Sequence, residues 1–270
     1  RVHLEKYVEK ARHVEVQVMM DGYGNAVCFQ ERECSVQRRF QKVIEESPCV
    51  AVSPLLRQRL QNSAIRLMKT GNYVNTGTVE FLLDSHADFY FLEVNCRIQV
   101  EHPVNEMTTG VDIVEHQLHV ASGQRLSLSQ NRLRGQGHAI EARIYAEDPQ
   151  TFLPSGGTIT RYLEPSGEGV RVDSGVGQDY EVTPYYDPMV AKLIVLDESR
   201  DEAIGKIAKA LQEFTIEGIT TNIPLLLKVL DDATFLSGEY NTGILTPELV
   251  NGTPTRKSGI DLAALRRYGR

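Results

Sequence analysis

From His13 to Val18 apolar and polar residues alternate strictly, predicting a strand with valines on one face and polar groups on the other. Asp21-Gly22-Tyr23-Gly24-Asn25 carries turn chemistry, and Ala26 to Gln30 reads as the return strand. Ser53 as N-cap and Pro54 at the first helical position open a helix whose apolar stripe is Leu56, Leu60, Ala64 and Leu67. Gly71 ends it. A second hairpin follows: Thr78 to Leu83 alternates, Asp84 to Asp88 turns, and Phe89 to Asn95 alternates again. Thr109-Gly110-Val111-Asp112 fits a capping box for a helix ending near Gly123.

The polar stretch from Ser127 to Gly137 is the expected internal boundary. Beyond it, strands are predicted at His138–Tyr145, Thr158–Leu163, Gly169–Asp173 and Val190–Leu196. Ser199 and Glu202 form a capping box leading into Ile204, Ile207, Leu211 and Phe214, and a second helix runs near Pro224–Leu230. Gly252 to Arg270 reads as a polar tail or linker with a short basic helix. The pattern is α+β with mainly antiparallel strands.

Composition narrows the function. The 270 residues suffice for one large or two modest cores, and 41% hydrophobic with 24% charged residues is ordinary for a soluble globular protein. A net charge of −7 argues against a nucleic-acid-binding surface, and no apolar run reaches the ~20 residues a membrane span needs. Cys28, Cys34, Cys49 and Cys96 lack paired zinc spacing, so they read as reduced thiols in a cytosolic or equivalent compartment.

The second hairpin carries the first candidate chemistry. If it closes through Ser85 to Asp88, Asp84 faces Phe89, Leu82 faces Phe91, Glu80 faces Glu93 and Thr78 faces Asn95. Directly opposed carboxylates repel. On a face shared with Leu82 and Phe91 they need a shared proton or a cation, and Asn95 adds an oxygen for a hard divalent ion. The bland alternative is a solvent-facing polar side of an edge hairpin. Next comes Arg97-Ile98-Gln99-Val100-Glu101, which sets a guanidinium, an amide and a carboxylate at alternate positions. Arg97 could hold a carbonate-like anion and Glu101 deprotonate it, against the alternative of a solvated charged loop. Between Glu31 and Glu46 the charges read by default as a solvated mixed segment, although Gln37 and Lys42 could reach phosphate oxygens. Glu141 and Arg143 share a strand face, where an ion pair between them is the default.

Several stretches together resemble the biotin carboxylase family. Glu31-Arg32-Glu33-Cys34-Ser35-Val36-Gln37-Arg38-Arg39 with Gln41-Lys42-Val43-Ile44-Glu45-Glu46 is similar to one family signature. Thr76 to Phe81 with Phe91 to His102 resembles a second, more diagnostic one. Glu141 to Pro149 and Tyr185 to Met189 continue the likeness, which reaches about Leu249. Phe40 departs from it, standing where many members carry a polar residue, commonly His.

The resemblance implies the second half of an ATP-grasp core (an antiparallel sheet with helices, 1–126), followed by the family's C-terminal α+β domain (134–249) and a tail or linker (250–270). It implies an ATP-dependent ligase that carboxylates biotin on a carrier protein with bicarbonate, through carboxyphosphate, using ATP and Mg²⁺ or Mn²⁺. Carried over by position, Glu5, Lys6, Val8 and His13 lie at the adenine and ribose end, and Gln37 and Lys42 approach the phosphates. Glu80 and Glu93 ligate the metal with Asn95 close by, while Arg97, Gln99, the Val100 backbone and Glu101 hold bicarbonate. Glu101 is then the base, and Arg143 stabilises the enolate-like oxygen of deprotonated biotin. Implied partners are a biotin carboxyl carrier protein or domain, a carboxyltransferase and a second copy in a homodimer, in the cytoplasm or the mitochondrial matrix. Family members begin with a Rossmann-like domain and a glycine-rich lid, neither of which precedes Arg1, so this chain alone is expected to be inactive or nearly so. Two alternatives stay open: a bicarbonate-activating ligase of the carbamoyl phosphate synthetase kind, and a non-catalytic assembly module.

Overall fold

The computed structural model describes residues 2–252. Strands β1 (Arg12–Met20), β2 (Ala26–Cys28), β3 (Arg32–Arg38) and β4 (Gln41–Ser47) precede helix α1 (Pro54–Thr70). The hairpin β5 (Asn75–Leu83) and β6 (Phe89–Asn95) leads into helices α2 (His102–Thr109) and α3 (Ile113–Ala121). Then come β7 (His138–Tyr145), β8 (Gly157–Thr158), β9 (Arg161–Leu163), β10 (Val170–Ser174), β11 (Glu181–Val182) and β12 (Met189–Asp197). Helix α4 (Arg200–Glu213), strand β13 (Thr215–Glu217) and helices α5 (Ile223–Leu230), α6 (Ala233–Ser237) and α7 (Pro247–Asn251) follow.

Nine strands form one sheet in the order β10-β12-β7-β4-β3-β1-β5-β6, with β2 beside β1. The pairings are antiparallel, and β7 pairs with β4, so the sheet runs straight through the boundary expected between residues 127 and 137. Val14, Val16 and Val18 pack under Leu56, Leu60 and Ala64 of α1, and Ile140, Ala142 and Ile144 pack under Ala203, Ile204 and Ile207 of α4. The other face receives α3 through Met19, Ile113 and Val120, and α2 through Val104, Ala139 and Ile194. With helices on both sides, the polar face of β1 is not solvent-facing: Glu15 and Gln17 are fully buried.

Several local expectations are corrected. Met68, not Leu67, completes the buried stripe of α1. Thr109 ends α2 rather than capping a helix, Gly110 takes the left-handed C-cap (φ 68°), and Asp112 caps α3 through the Glu115 N–H. The expected strand over 158–163 is split between β8 and β9. The segment read as solvated mixed charge is the hairpin β3–β4, with Glu31, Arg32, Glu33, Glu45 and Glu46 fully buried. Arg39 and Phe40 form its tip, both at positive φ, with Phe40 95% exposed. The tail expected at 250–270 falls, from residue 253, outside the described residues.

Candidate active site

A row of charge crosses strands β3, β1, β5 and β6. Arg32 on β3 faces Glu15 on β1, Glu15 faces Glu80 on β5, and Glu80 faces Glu93 on β6. The hairpin register was expected to place Leu82 opposite Phe91 and Asp84 opposite Phe89. Instead Leu82 faces Tyr90 and Leu83 faces Phe89, and a bulge between Phe91 and Glu93 restores the Glu80–Glu93 and Thr78–Asn95 pairs. The bulge leaves Leu92 over, half-exposed.

Lys42 ties this row to the loop beyond β6. Its Nζ lies 2.6 Å from Glu15 Oε2, 3.1 Å from Glu80 Oε1 and 2.6 Å from Glu101 Oε1. Arg32 holds the other Glu15 oxygen at 2.5 Å. Arg143 on β7 donates to Glu101 Oε2 (2.9 Å) and to Glu45 Oε1 (2.6 Å). The expected Glu141–Arg143 ion pair is therefore replaced by one with Glu45. Glu101 sits at the N-cap of α2, where the helix dipole favours an anion.

The partners set the charge states. Burial alone would raise the Glu15 carboxyl, but Arg32 and Lys42 overcome it and hold it at about 2. Burial likewise opposes ionisation of Glu80, and His13 and Lys42 bring it to about 2. Burial would lower Lys42, yet Glu15 and its other acidic neighbours push it above the usual lysine range. Arg143 is held above its ordinary value in the same way by Glu45 and Glu101. Taking this much charge out of water is poor use of a core unless function requires it.

The structure gathers some predicted residues and separates others. The Asn95 amide donates to Glu80 Oε1 (2.9 Å) and Glu93 Oε1 (3.2 Å), so the opposed carboxylates share a donor. Glu93 is exposed, whereas Glu80 is buried. Two carboxylates and an amide that can turn its oxygen inward make a donor set that fits a hard divalent cation. His13, Glu15 and Glu80 also bring ligand atoms within 4.8 Å of one another. Arg97, Gln99 and Glu101 lie on a loop, not a strand, yet remain linked. Arg97 donates to Gln99 Oε1 (3.2 Å), and Gln99 donates to Glu80 Oε1 (2.9 Å). Arg97 is exposed and, among the described residues, donates to the Ile98 carbonyl, Gln99 and Asn95 instead of a carboxylate. Gln37 stands opposite Lys42 and approaches His13 Nδ1 at 3.4 Å, while His13 Nε2 is 2.9 Å from Glu80. His13 thus lies with the carboxylates. Glu5, Lys6 and Val8 lie apart in the irregular N-terminal segment, Lys6 donating to Tyr90 Oη at 3.2 Å.

Sequence reasoning missed Glu15, Arg32, Glu45, Glu141 and Lys192. Lys192 faces Arg143 across β7–β12 and donates to the Val100 carbonyl at 2.8 Å. The strict alternation around Glu15 was the available signal; the others depend on strand neighbours that local sequence does not name.

The chain resembles known proteins in sequence and fold. A family model described as the carbamoyl-phosphate synthase L chain, ATP binding domain matches residues 1–129, and one described as the biotin carboxylase C-terminal domain matches residues 141–247. Biotin carboxylase 1 of Bacillus subtilis is 50% identical over 254 residues, which is 93% of this chain and 56% of the relative. The biotin carboxylase of Halalkalibacterium halodurans is 50% identical over 246 residues, 91% of this chain and 54% of the relative. The chain thus spans about half the length of the curated relatives it matches. Among solved structures, the biotin carboxylase domain dimer of Hydrogenobacter thermophilus 2-oxoglutarate carboxylase, in complex with MgADP, ADP and bicarbonate, superposes with a TM-score of 0.89 at 44% identity. The superposition covers 92% of this chain and 56% of that one.

Proposed function

This chain belongs to the biotin carboxylase family, and from that premise we propose that it supplies the bicarbonate and metal wall of a biotin carboxylase active site. The reading rests above all on one observation: Glu101 lies between Lys42 and Arg143, with Gln99 and Arg97 following it back along one loop. In the whole enzyme Glu101 takes the proton of bicarbonate, whose oxygen attacks the γ-phosphorus of ATP and releases ADP. Arg97, Gln99 and the Val100 backbone hold the anion, and Gln37 and Lys42 meet the phosphates. Glu5, Lys6, Val8 and His13 complete the nucleotide side. The carboxyphosphate formed breaks into CO₂ and phosphate, the phosphate accepts the ureido N–H proton of biotin, and the nitrogen attacks CO₂. Arg143 stabilises the ureido oxyanion. Glu80, Glu93 and Asn95 would hold a magnesium or manganese ion, which neutralises phosphate charge when bound.

The substrate is biotin on a carrier protein or domain, and a carboxyltransferase takes the product, in a homodimeric assembly of the cytosol or mitochondrial matrix. The domains are 1–126 and 134–249, joined by the continuous sheet. Among the described residues no helix is long and apolar enough to cross a membrane. A carbamoyl phosphate synthetase reading has the first family model in its favour, but the second model and the named relatives favour biotin.

The test is bicarbonate-dependent, biotin-stimulated ATP hydrolysis by the full-length protein. Glu101→Gln and Arg143→Ala are each expected to lower kcat by roughly 10²-fold or more. Activity that survives both changes would sink the assignment. The 270-residue chain by itself is expected to bind MgADP weakly or not at all in a titration.

A further inference from the structure

Behind Arg143 lies a second acidic group that the mechanism above does not use. Glu45 on β4 stands directly opposite Glu141 on β7, and both are fully buried. Among the described residues, Glu45 Oε2 and both Glu141 oxygens have no hydrogen-bond partner. Val104 of α2, Ala139 and Ile194 give this place an apolar cover, and Ile194 is the cross-strand neighbour of Glu141. Facing carboxylates in such surroundings cannot both stay ionised without a cation between them.

The surrounding charges do not supply that cation. Arg143 bonds to Glu45 and Glu101, and Lys42 on β4 bonds to Glu15, Glu80 and Glu101. Lys192 on β12 turns to the Val100 carbonyl and Asp173, and Arg32 on β3 turns to Glu15. His102 at the start of α2 turns to the Gln99 carbonyl and Glu106. A single proton between the two side chains joins Glu45 Oε2 to one of the Glu141 oxygens.

We propose that Glu45 and Glu141 are a proton-sharing carboxylate pair that positions Arg143 and presents it with one negative charge instead of two. The proposal rests on the reading above for what Arg143 does in catalysis. Neutral Glu141 donates its O–H to Glu45, whose other oxygen fixes the guanidinium Nε–H and leaves the cation a net positive field for an oxyanion. Loss of that proton places a second charge behind Arg143 and weakens the field. The charge states agree: burial, against the pull of Arg143, raises Glu45 to about 7, and burial with Glu45 opposite raises Glu141 well above the carboxylate range.

The experiment uses the full-length protein and two kinds of readout. Infrared spectra at neutral pH should show a buried protonated carboxyl that Glu141→Gln removes, and the Arg143 Nε–H proton resonance should titrate with the pair in wild type but not in that variant. In bicarbonate-dependent ATP hydrolysis, Glu45→Gln should lower kcat by roughly 10-fold or more with KM for ATP little changed. Glu141→Gln, whose amide can still donate to Glu45, should retain at least roughly tenfold more kcat than Glu141→Ala and lose the wild-type decline toward alkaline pH. A wild-type spectrum with no protonated carboxyl at neutral pH, or equal losses in Glu141→Gln and Glu141→Ala, overturns the proposal. If the wild type shows no such hydrolysis, the functional reading fails, and the infrared and resonance titrations still decide whether the pair shares a proton and holds Arg143.

Discussion

Glu45 and Glu46 are neighbours on β4, equally buried, and they point to opposite faces of one sheet. Glu46 accepts from His138 Nε2 (2.5 Å), from Arg200 Nε (2.7 Å) and Nη2 (3.1 Å), and from Tyr240 Oη (2.5 Å). Burial opposes its ionisation, yet His138 and Arg200 hold it at about 2, while Glu45 is raised to about 7. Burial is the same in both; the partners decide the sign. The Glu46 face is charge-matched and latches α4 and the Tyr240 segment onto the sheet. On the other face Glu15, Glu45, Glu80, Glu101 and Glu141 stand with Arg32, Lys42, Arg143 and Lys192. A face this dense in carboxylates is a poor latch and a reasonable reception for a metal ion.

The comparison breaks most visibly at Glu46. Glu46→Ala leaves Arg200 and His138 without their carboxylate and is expected to cost about 3–5 kcal/mol in denaturant unfolding. The two faces should also respond to pH with opposite sign. A folded pKa depressed from 4.5 to about 2 gives Glu46 a contribution of about 3 kcal/mol, present above pH 4.5 and lost as pH falls toward 2. Glu45, raised from 4.5 to about 7, contributes fully below 4.5 and loses that contribution as pH rises through 7. Unfolding of Glu46→Gln across the acid range should therefore be flatter than wild type. An unchanged acid limb would mean that Glu46 is not the group titrating there.

On the site face the corresponding change is Lys42→Met, which removes the cation common to Glu15, Glu80 and Glu101. We expect a loss of about 3 kcal/mol, smaller at pH 5 than at pH 8, because a carboxylate without its cation can take up a proton instead. A loss equal at both pH values would show that the cluster does not relax by protonation.

How much of this is legible in the sequence follows the range of the interactions. The Glu80–Glu93 pair is local: a hairpin of seven or nine residues per strand brings it together, and the alternation points to it. Even there the expected turn is one residue off, and the bulge at Leu92 absorbs the error. The β3–β4 hairpin is not legible, because its charged residues are buried on both faces and mimic a solvated run. Glu45 and Arg143 are 98 residues apart, and nothing near either residue names the other. Helix α2 escapes a local reading because Pro103 suggests a turn, whereas proline in a first turn begins a helix. The alternation of Arg97, Gln99 and Glu101 points to an anion and its base, whereas the role proposed for Arg143 comes from the resemblance; geometry adds Lys42 against Glu101 and Glu45 against Arg143.

The smallest effect sharpens the comparison within the site itself. Glu93 and Glu80 face each other, but Glu80 is buried with His13, Lys42, Asn95 and Gln99 around it, while Glu93 is exposed and bonds only to Asn95 among the described residues. Solvent screens an exposed carboxylate, so Glu93→Gln should change unfolding free energy by less than about 0.5 kcal/mol. Its consequence should appear in metal loading, as a rise of roughly tenfold in the Mg²⁺ or Mn²⁺ concentration needed for half-maximal ATP hydrolysis by the full-length protein. A destabilised Glu93→Gln with unchanged metal dependence would assign Glu93 to the hairpin instead of the cation. A cation on this face would then have to be held at Glu80 and Glu15, where His13 already completes a cluster of ligand atoms.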